Sequence, residues 1–166
     1  MEIHPLQTED ILTLVAGFDK LGWNKPASLF EGYFNDQTEG IRQVWVAWQS
    51  EEIAGYVTLK WESEYRPFCK ANIPEINDLN VFPPYRNQGI ATALIEKCEE
   101  EALKKGDTIG LGVGLYDGYG NAQKRYVKMG YIPDGLGITY NNKRVNYDDQ
   151  VTLDDDLVLW FTKKIR

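Results

Sequence analysis

The segment Asp78-Leu79-Asn80-Val81-Phe82-Pro83-Pro84-Tyr85-Arg86-Asn87-Gln88-Gly89-Ile90-Ala91 decides how the chain is read. It continues the stretch Ile73 to Phe82, which reads as a strand; two prolines, which cannot donate ladder hydrogen bonds, end it. From Gly89 to Lys105 the period becomes helical. Ile90, Ala91, Leu94, Ile95, Cys98 and Ala102 fall on one side, and Glu96, Lys97, Glu99, Glu100 and Lys104 on the other. A strand that passes through a short loop into a helix N-terminus makes an anion site, because the first-turn N–H groups have no acceptor within the helix and the positive dipole end lies there. Gly89 and the small Ala91 let a pyrophosphate reach the backbone. Neither Gly-x-x-x-x-Gly-Lys-Ser/Thr nor Gly-x-Gly-x-x-Gly occurs here, so the Walker and Rossmann phosphate loops are excluded.

Upstream, Met1 to Leu6 reads as a short strand, and Ile11, Leu14, Val15, Phe18 and Leu21 as a helix stopped by Gly22. Pro26 suits the first turn of a second helix carrying Leu29, Phe30, Tyr33 and Phe34. The period then becomes two: Val44, Val46 and Trp48, a turn at Ser50-Glu51-Glu52, and Ile53, Gly55, Val57, Leu59 and Trp61 predict an antiparallel hairpin. Glu62 to Asn72 reads as a loop, although its aromatics Tyr65 and Phe68 are unusual for plain linker.

Downstream of the helix, Gly106 is expected in the left-handed capping conformation. Thr108 to Leu115 alternates Ile109, Leu111, Val113 and Leu115 with Gly110, Gly112 and Gly114, a strand with one face stripped of side chains. Either a ligand or a packed helix must approach that face. A short helix from Tyr119 to Met129 ends at Gly130, a strand begins at Tyr131-Ile132, Asn141-Asn142 marks a hairpin turn, and Leu157 to Thr162 is the closing strand. The order predicts an α/β sandwich around a mixed sheet.

With 166 residues, 43% of them apolar, one domain spanning 1–166 is expected. A net charge of -7 opposes polyanionic partners, so nucleic acid is not expected. No run of about 18 apolar residues suggests a membrane span. Cys69 and Cys98 form neither a disulfide framework nor a Cys-x-x-Cys pair, which suits a reducing, cytoplasmic setting.

Arg86, Gly89 and Ala91 match Arg/Gln-x-x-Gly-x-Gly/Ala, and Ala122-x-x-x-Tyr126-x-x-x-Gly130-Tyr131 follows. Over Asn77 to Tyr131, about a third of the chain, these motifs resemble the cofactor-binding half of the GNAT superfamily of N-acetyltransferases. The resemblance implies the GNAT acyl-CoA N-acyltransferase fold, a mixed, mostly antiparallel sheet of about seven strands flanked by about four helices. It implies acetyl-coenzyme A (acetyl-CoA) as co-substrate, no metal, and direct transfer of acetyl to a primary amine in a ternary complex. Backbone N–H groups at Val81 and Phe82 would polarise the thioester carbonyl, and Arg86, Asn87, Gln88, Gly89, Ile90, Ala91 and Thr92 would hold the pyrophosphate.

Tyr126 occupies the family's general-acid position, where a phenol can protonate the departing thiolate. Many members carry Asn seven residues before that tyrosine. Here the position is Tyr119, so either Asn121 or the Tyr119 backbone would meet the pantetheine. A lysine-like amine is about a thousandth neutral at pH 7, so a base is needed; Glu75, Asp78 or ordered water would serve.

His4 has no nucleophile pattern beside it and cannot alone build a zinc site; Cys98 reads as core; Asp154-Asp155-Asp156 reads as a solvated turn. Acceptor recognition is expected from Trp23-Asn24-Lys25, Tyr65 to Cys69 and Pro133 to Asp156. The expected partners are a small-molecule or peptide amine and, with no sequence feature deciding it, a second copy of the chain as a homodimer. A protein lysine or N-terminal acetyltransferase, and a catalytically silent acetyl-CoA-binding regulatory module, are the competing readings.

Overall fold

The computed structural model describes residues 1–166, with eight strands and five α-helices against the expected seven and four. They form two compact units, Met1–Lys60 with Ile76–Glu100 and Trp61–Glu75 with Glu101–Arg166.

In the first unit the strands β1 (Glu2–Pro5), β2 (Arg42–Gln49), β3 (Glu52–Lys60) and β4 (Glu75–Val81) lie in the order β1-β2-β3-β4, with β2 antiparallel to both β1 and β3. The β2–β3 turn needs only Ser50 and Glu51, both left-handed at φ 49 and 67, as a tight hairpin of this hand requires. Helices α1 (Asp10–Lys20) and α2 (Ala27–Thr38) pack on each other and on β2 and β3. Gly22, at φ +69, ends α1 as expected: its N–H returns to Asp19 and that of Trp23 to Phe18. Phe18 is the hub of the core, meeting the rings of Phe30, Tyr56 and Phe82 at 6.1, 6.0 and 4.8 Å. Such pairs add about 0.5–1.5 kcal/mol each beyond area burial. Every residue from Ile53 to Leu59 is buried. β3, the second arm of the expected antiparallel hairpin, is therefore a core strand buried on both faces. Helix α4 (Ile90–Leu103) buries Ile90, Leu94, Ile95, Cys98 and Ala102 of the expected stripe and leaves Ala91 half-buried.

The second unit contains α3 (Arg66–Ala71), β5 (Thr108–Gly114), α5 (Gly120–Lys128), β6 (Ile132–Tyr140), β7 (Lys143–Arg144) and β8 (Leu157–Lys164). Its strands run β5-β8-β6-β7, each antiparallel to its neighbour. The extra helix is α3, where a loop was expected. Pro67 sits in its first turn, where a missing N–H costs nothing, and Asn72 closes it at φ 52. Six residues are too few to display a period, but Tyr65 and Phe68 were the sign of it: Tyr65 stacks on Trp160 at 4.2 Å and Phe68 meets it edge-on at 5.3 Å. The extra strand is the two-residue β7, too short to show a period, which pairs with β6, a strand that runs on to Tyr140. Its irregular pairing between Pro133 and Ile138 holds Gly135 and Gly137, both at positive φ, and this hides the alternation. Asn141 and Asn142, at φ 49 and 60, make the expected turn into β7. Gly106 is not left-handed; its N–H simply returns to Ala102.

The glycine face of β5 is approached by the chain's own side chains. A Cβ on Gly110 would lie 2.2 Å from the Phe68 ring, and one on Gly114 would lie 2.3 Å from that of Tyr119. Beside Gly112, Val158 of β8 would be 2.6 Å away. Aromatic rings from α3 and from the turn before α5 thus take the space that the sequence left open to a ligand.

Candidate functional site

β4 leads through a single 3-10 turn, Pro83–Tyr85, to the exposed residues Arg86–Gly89 and then to α4. The end of β4 has two distinct edges. Phe82 N–H donates to the Ala54 carbonyl at 2.9 Å, and the Asn80 carbonyl lies so close to Gly55 that a Cβ there would be 2.3 Å from it. Because backbone groups alternate along a strand, Val81 turns its N–H and C=O to the other edge, where its carbonyl accepts from Arg86 Nε at 3.1 Å. Of the two N–H groups expected to polarise a carbonyl, that of Phe82 is committed to β3, and only that of Val81 faces away from it. The Phe82 side chain is core, packed on Phe18.

In the loop, Asn87 and Gly89 are both left-handed, at φ 59 and 84. The first helical bond runs from Ala93 N–H to Gly89 C=O, which leaves the N–H groups of Ile90 and Ala91 without an acceptor inside the helix. Left-handed residues next to a helix start turn successive amides into one concavity, the arrangement that binds phosphate. A Cβ built on Gly89 would meet nothing within 4 Å, so the space before these amides is open. The loop is braced from below: Gln88 Nε2 donates to the Pro84 carbonyl at 3.0 Å, Gln49 Nε2 to Gln88 Oε1 at 2.8 Å, and the Tyr85 hydroxyl to Glu52. Ile90 is buried and can contribute only its amide; Thr92 is half-buried in the first turn. These residues fit a pyrophosphate.

In the second unit, Tyr126 lies on α5 and is 8% exposed, its ring 6.0 Å from that of Tyr131. Burial pushes its phenol up to about 12, opposed only by the charge of Arg125, with no hydrogen bond contributing. Asn121 is exposed at the start of α5. Tyr119, which replaces the expected Asn, packs its ring beside Gly114 and donates its hydroxyl to Asp155 at 2.9 Å. Tyr65 and Phe68, expected near the acceptor, are buried against Trp160, and the Tyr65 hydroxyl reaches Asp134 at 2.7 Å.

The two candidate bases differ. Glu75 is buried and accepts from Ser63 Oγ at 2.5 Å. Asp78, left-handed at φ 49, accepts four hydrogen bonds: from Lys25 Nζ (2.6 Å) and Asn80 Nδ2 (2.8 Å) at Oδ1, and from the Tyr33 (2.8 Å) and Tyr56 hydroxyls at Oδ2. Burial first, and the Asp78 charge second, push the phenols of Tyr33 and Tyr56 upward. The sequence reading placed Lys25 near the acceptor but missed Tyr33, Tyr56 and Asn80 as its companions. Tyr33 reads as part of an apolar stripe, and Tyr56 is out of phase with the face assigned to its strand. No group of three or more His, Cys, Asp or Glu side chains is placed to hold a metal ion, and no helix is long and apolar enough to cross a membrane.

A family model described as Acetyltransferase (GNAT) family matches residues 10–131, and the chain belongs to that family. It is accordingly an acyltransferase. Solved structures share the fold over nearly the whole chain. An N-acetyltransferase from Staphylococcus aureus Mu50 is 17% identical with a TM-score of 0.73, covering 99% of this chain and 98% of its own. A ribosomal-protein-alanine N-acetyltransferase from Brucella melitensis is 16% identical with a TM-score of 0.71, over 99% and 100%. Chaetomium thermophilum Naa20, solved with a bisubstrate analogue, is 18% identical with a TM-score of 0.71, over 99% and 87%. No curated protein sequence matches the chain significantly.

Proposed function

We propose that the whole chain, 1–166, works as one N-acetyltransferase domain that binds acetyl-CoA and passes its acetyl group directly to a primary amine of a small molecule or peptide. The observation that carries this reading is the open loop with left-handed Asn87 and Gly89 before the Ile90 and Ala91 amides, which have no acceptor inside α4, in a member of the GNAT family. Arg86 to Ala91 hold the pyrophosphate, chiefly through backbone N–H groups. The amine nitrogen attacks the thioester carbonyl carbon while Val81 N–H supports the charge gathering on its oxygen, a donor worth roughly 10²–10³ in rate. As the C–S bond breaks, the Tyr126 hydroxyl gives its proton to sulfur. Asp78 already accepts from four donors, so we assign the amine's proton to Glu75. Neither cysteine is in a disulfide: Cys98 is buried in the α4 stripe and Cys69 is exposed; a thioester is already activated, so neither needs to carry the acetyl group. The absence of a disulfide also suits a cytoplasmic setting.

The pH dependence of turnover tests this assignment. A buried phenol raised to about 12 stays protonated across the working range; the stability it contributes is kept below its ordinary value near 10 and lost as pH climbs towards about 12. Turnover should therefore rise with pH as the amine or its base deprotonates, with no alkaline fall before about pH 12. Glu75→Gln should lower neutral-pH turnover about a hundredfold. A native alkaline fall that vanishes in Tyr126→Phe, or a fully active Glu75→Gln, would contradict it.

A further inference from the structure

In the first unit the Lys25 ammonium is held among a carboxylate, a phenol oxygen and aromatic rings. Lys25 Nζ lies 2.6 Å from Asp78 Oδ1 and 2.8 Å from the Tyr56 hydroxyl oxygen, with the ring centroids of Phe18 and Tyr56 each 5.4 Å away. A carboxylate, a phenol oxygen and the Phe18 ring suit a primary alkylammonium, since its N–H donors take the two oxygens and its charge is drawn to the ring quadrupole. The surrounding walls are fixed. Tyr56 and Phe18 are fully buried, Tyr33 and Asn80 donate to the same carboxylate, and Asp78 holds a left-handed conformation in mid-strand that these bonds maintain. The occupant is not fixed in the same way: Lys25 belongs to the irregular segment between α1 and α2, beside exposed Trp23, and its side chain is 21% exposed.

We propose that this pocket around Asp78 recognises a primary alkylammonium group of the acceptor other than the amine that attacks the thioester, and that Lys25 is its internal occupant, displaced when the acceptor binds. The inference rests on the acetyl-transfer reading and deepens it by naming what the acceptor presents. With its acceptor positions filled by donors, Asp78 is equipped to hold a cation rather than to take a proton. A tethered lysine competes at an effective concentration that short linkers place near the millimolar range, so weakly cationic compounds are turned away and Lys25 acts as a threshold.

The probe is n-butylammonium chloride, titrated by calorimetry into the native protein, Lys25→Met, and Lys25→Met combined with Asp78→Asn, each checked for folding by circular dichroism. Methionine keeps an apolar stem and removes the charged head. Lys25→Met should bind the probe about tenfold or more tightly than the native protein, and the double variant should lose it. Equal binding by native and Lys25→Met, or binding kept in the double variant, overturns the proposal. Should Lys25→Met not fold, nitrogen-detected magnetic resonance of Lys25 Nζ in the native protein decides: a saturating shift on adding n-butylammonium supports displacement, and no shift refutes it. Acetyl-CoA-induced thermal stabilisation is recorded on the same samples. Its presence without ammonium binding sinks this inference alone, and its absence from the native protein sinks the acetyl-transfer reading instead.

Discussion

Gly89→Glu should give a folded protein without measurable affinity for acetyl-CoA. At φ +84 any L residue is strained, by roughly 1–2 kcal/mol, which the fold can absorb because nothing lies within 4 Å of the added Cβ. The carboxylate would stand where the Ile90 and Ala91 amides converge, opposing a pyrophosphate in both volume and charge. Native protein should gain about 2.7 kcal/mol of stability at a hundred times the dissociation constant. Gly89→Glu should gain nothing, and Gly89→Ala, which adds only strain, should keep most of the effect. Unchanged cofactor affinity in folded Gly89→Glu would remove the phosphate-loop assignment.

Tyr126→Phe should lower turnover about a hundredfold or more while altering acetyl-CoA affinity little. The ring is buried beside Tyr131, and the hydroxyl contributes no hydrogen bond to the fold, so removing its oxygen leaves the packing in place. Its value lies in the moment when charge develops on sulfur, which a ground-state affinity does not register. Full turnover at saturating substrates, with chemistry limiting the rate, would exclude Tyr126 as the acid.

What could be read in the sequence is local along the chain. The strand-to-helix loop Arg86–Gly89, the Gly22 stop and the Asn141-Asn142 turn are each written in a few consecutive residues, and the backbone of each forms as read. The fold class followed from the order of periods, with α3 too short to show one and β6 disguised by Gly135 and Gly137. The Asp78 pocket was not legible because it joins a loop, α2, β3 and β4, with Lys25 and Asp78 separated by 53 positions. The glycine face of β5 announced a close approach but not its author, since Phe68 and Tyr119 lie outside the strand. The loss of Phe82 N–H to β3 depends on which edge of β4 is paired, and that is a property of topology rather than of the motif.

Acetyl transfer to an amine is tested most directly by measuring thiol release and N-acetylated product together, with acetyl-CoA and a panel of primary amines, and recording the intact mass of the protein. The expected result is one thiol per acetylated amine, neither formed without amine, and no acetyl group on Cys69 or Cys98. Acetyl-CoA that stabilises the fold but releases no thiol with any amine, or a cysteine acetylated and discharged at the turnover rate, would contradict it.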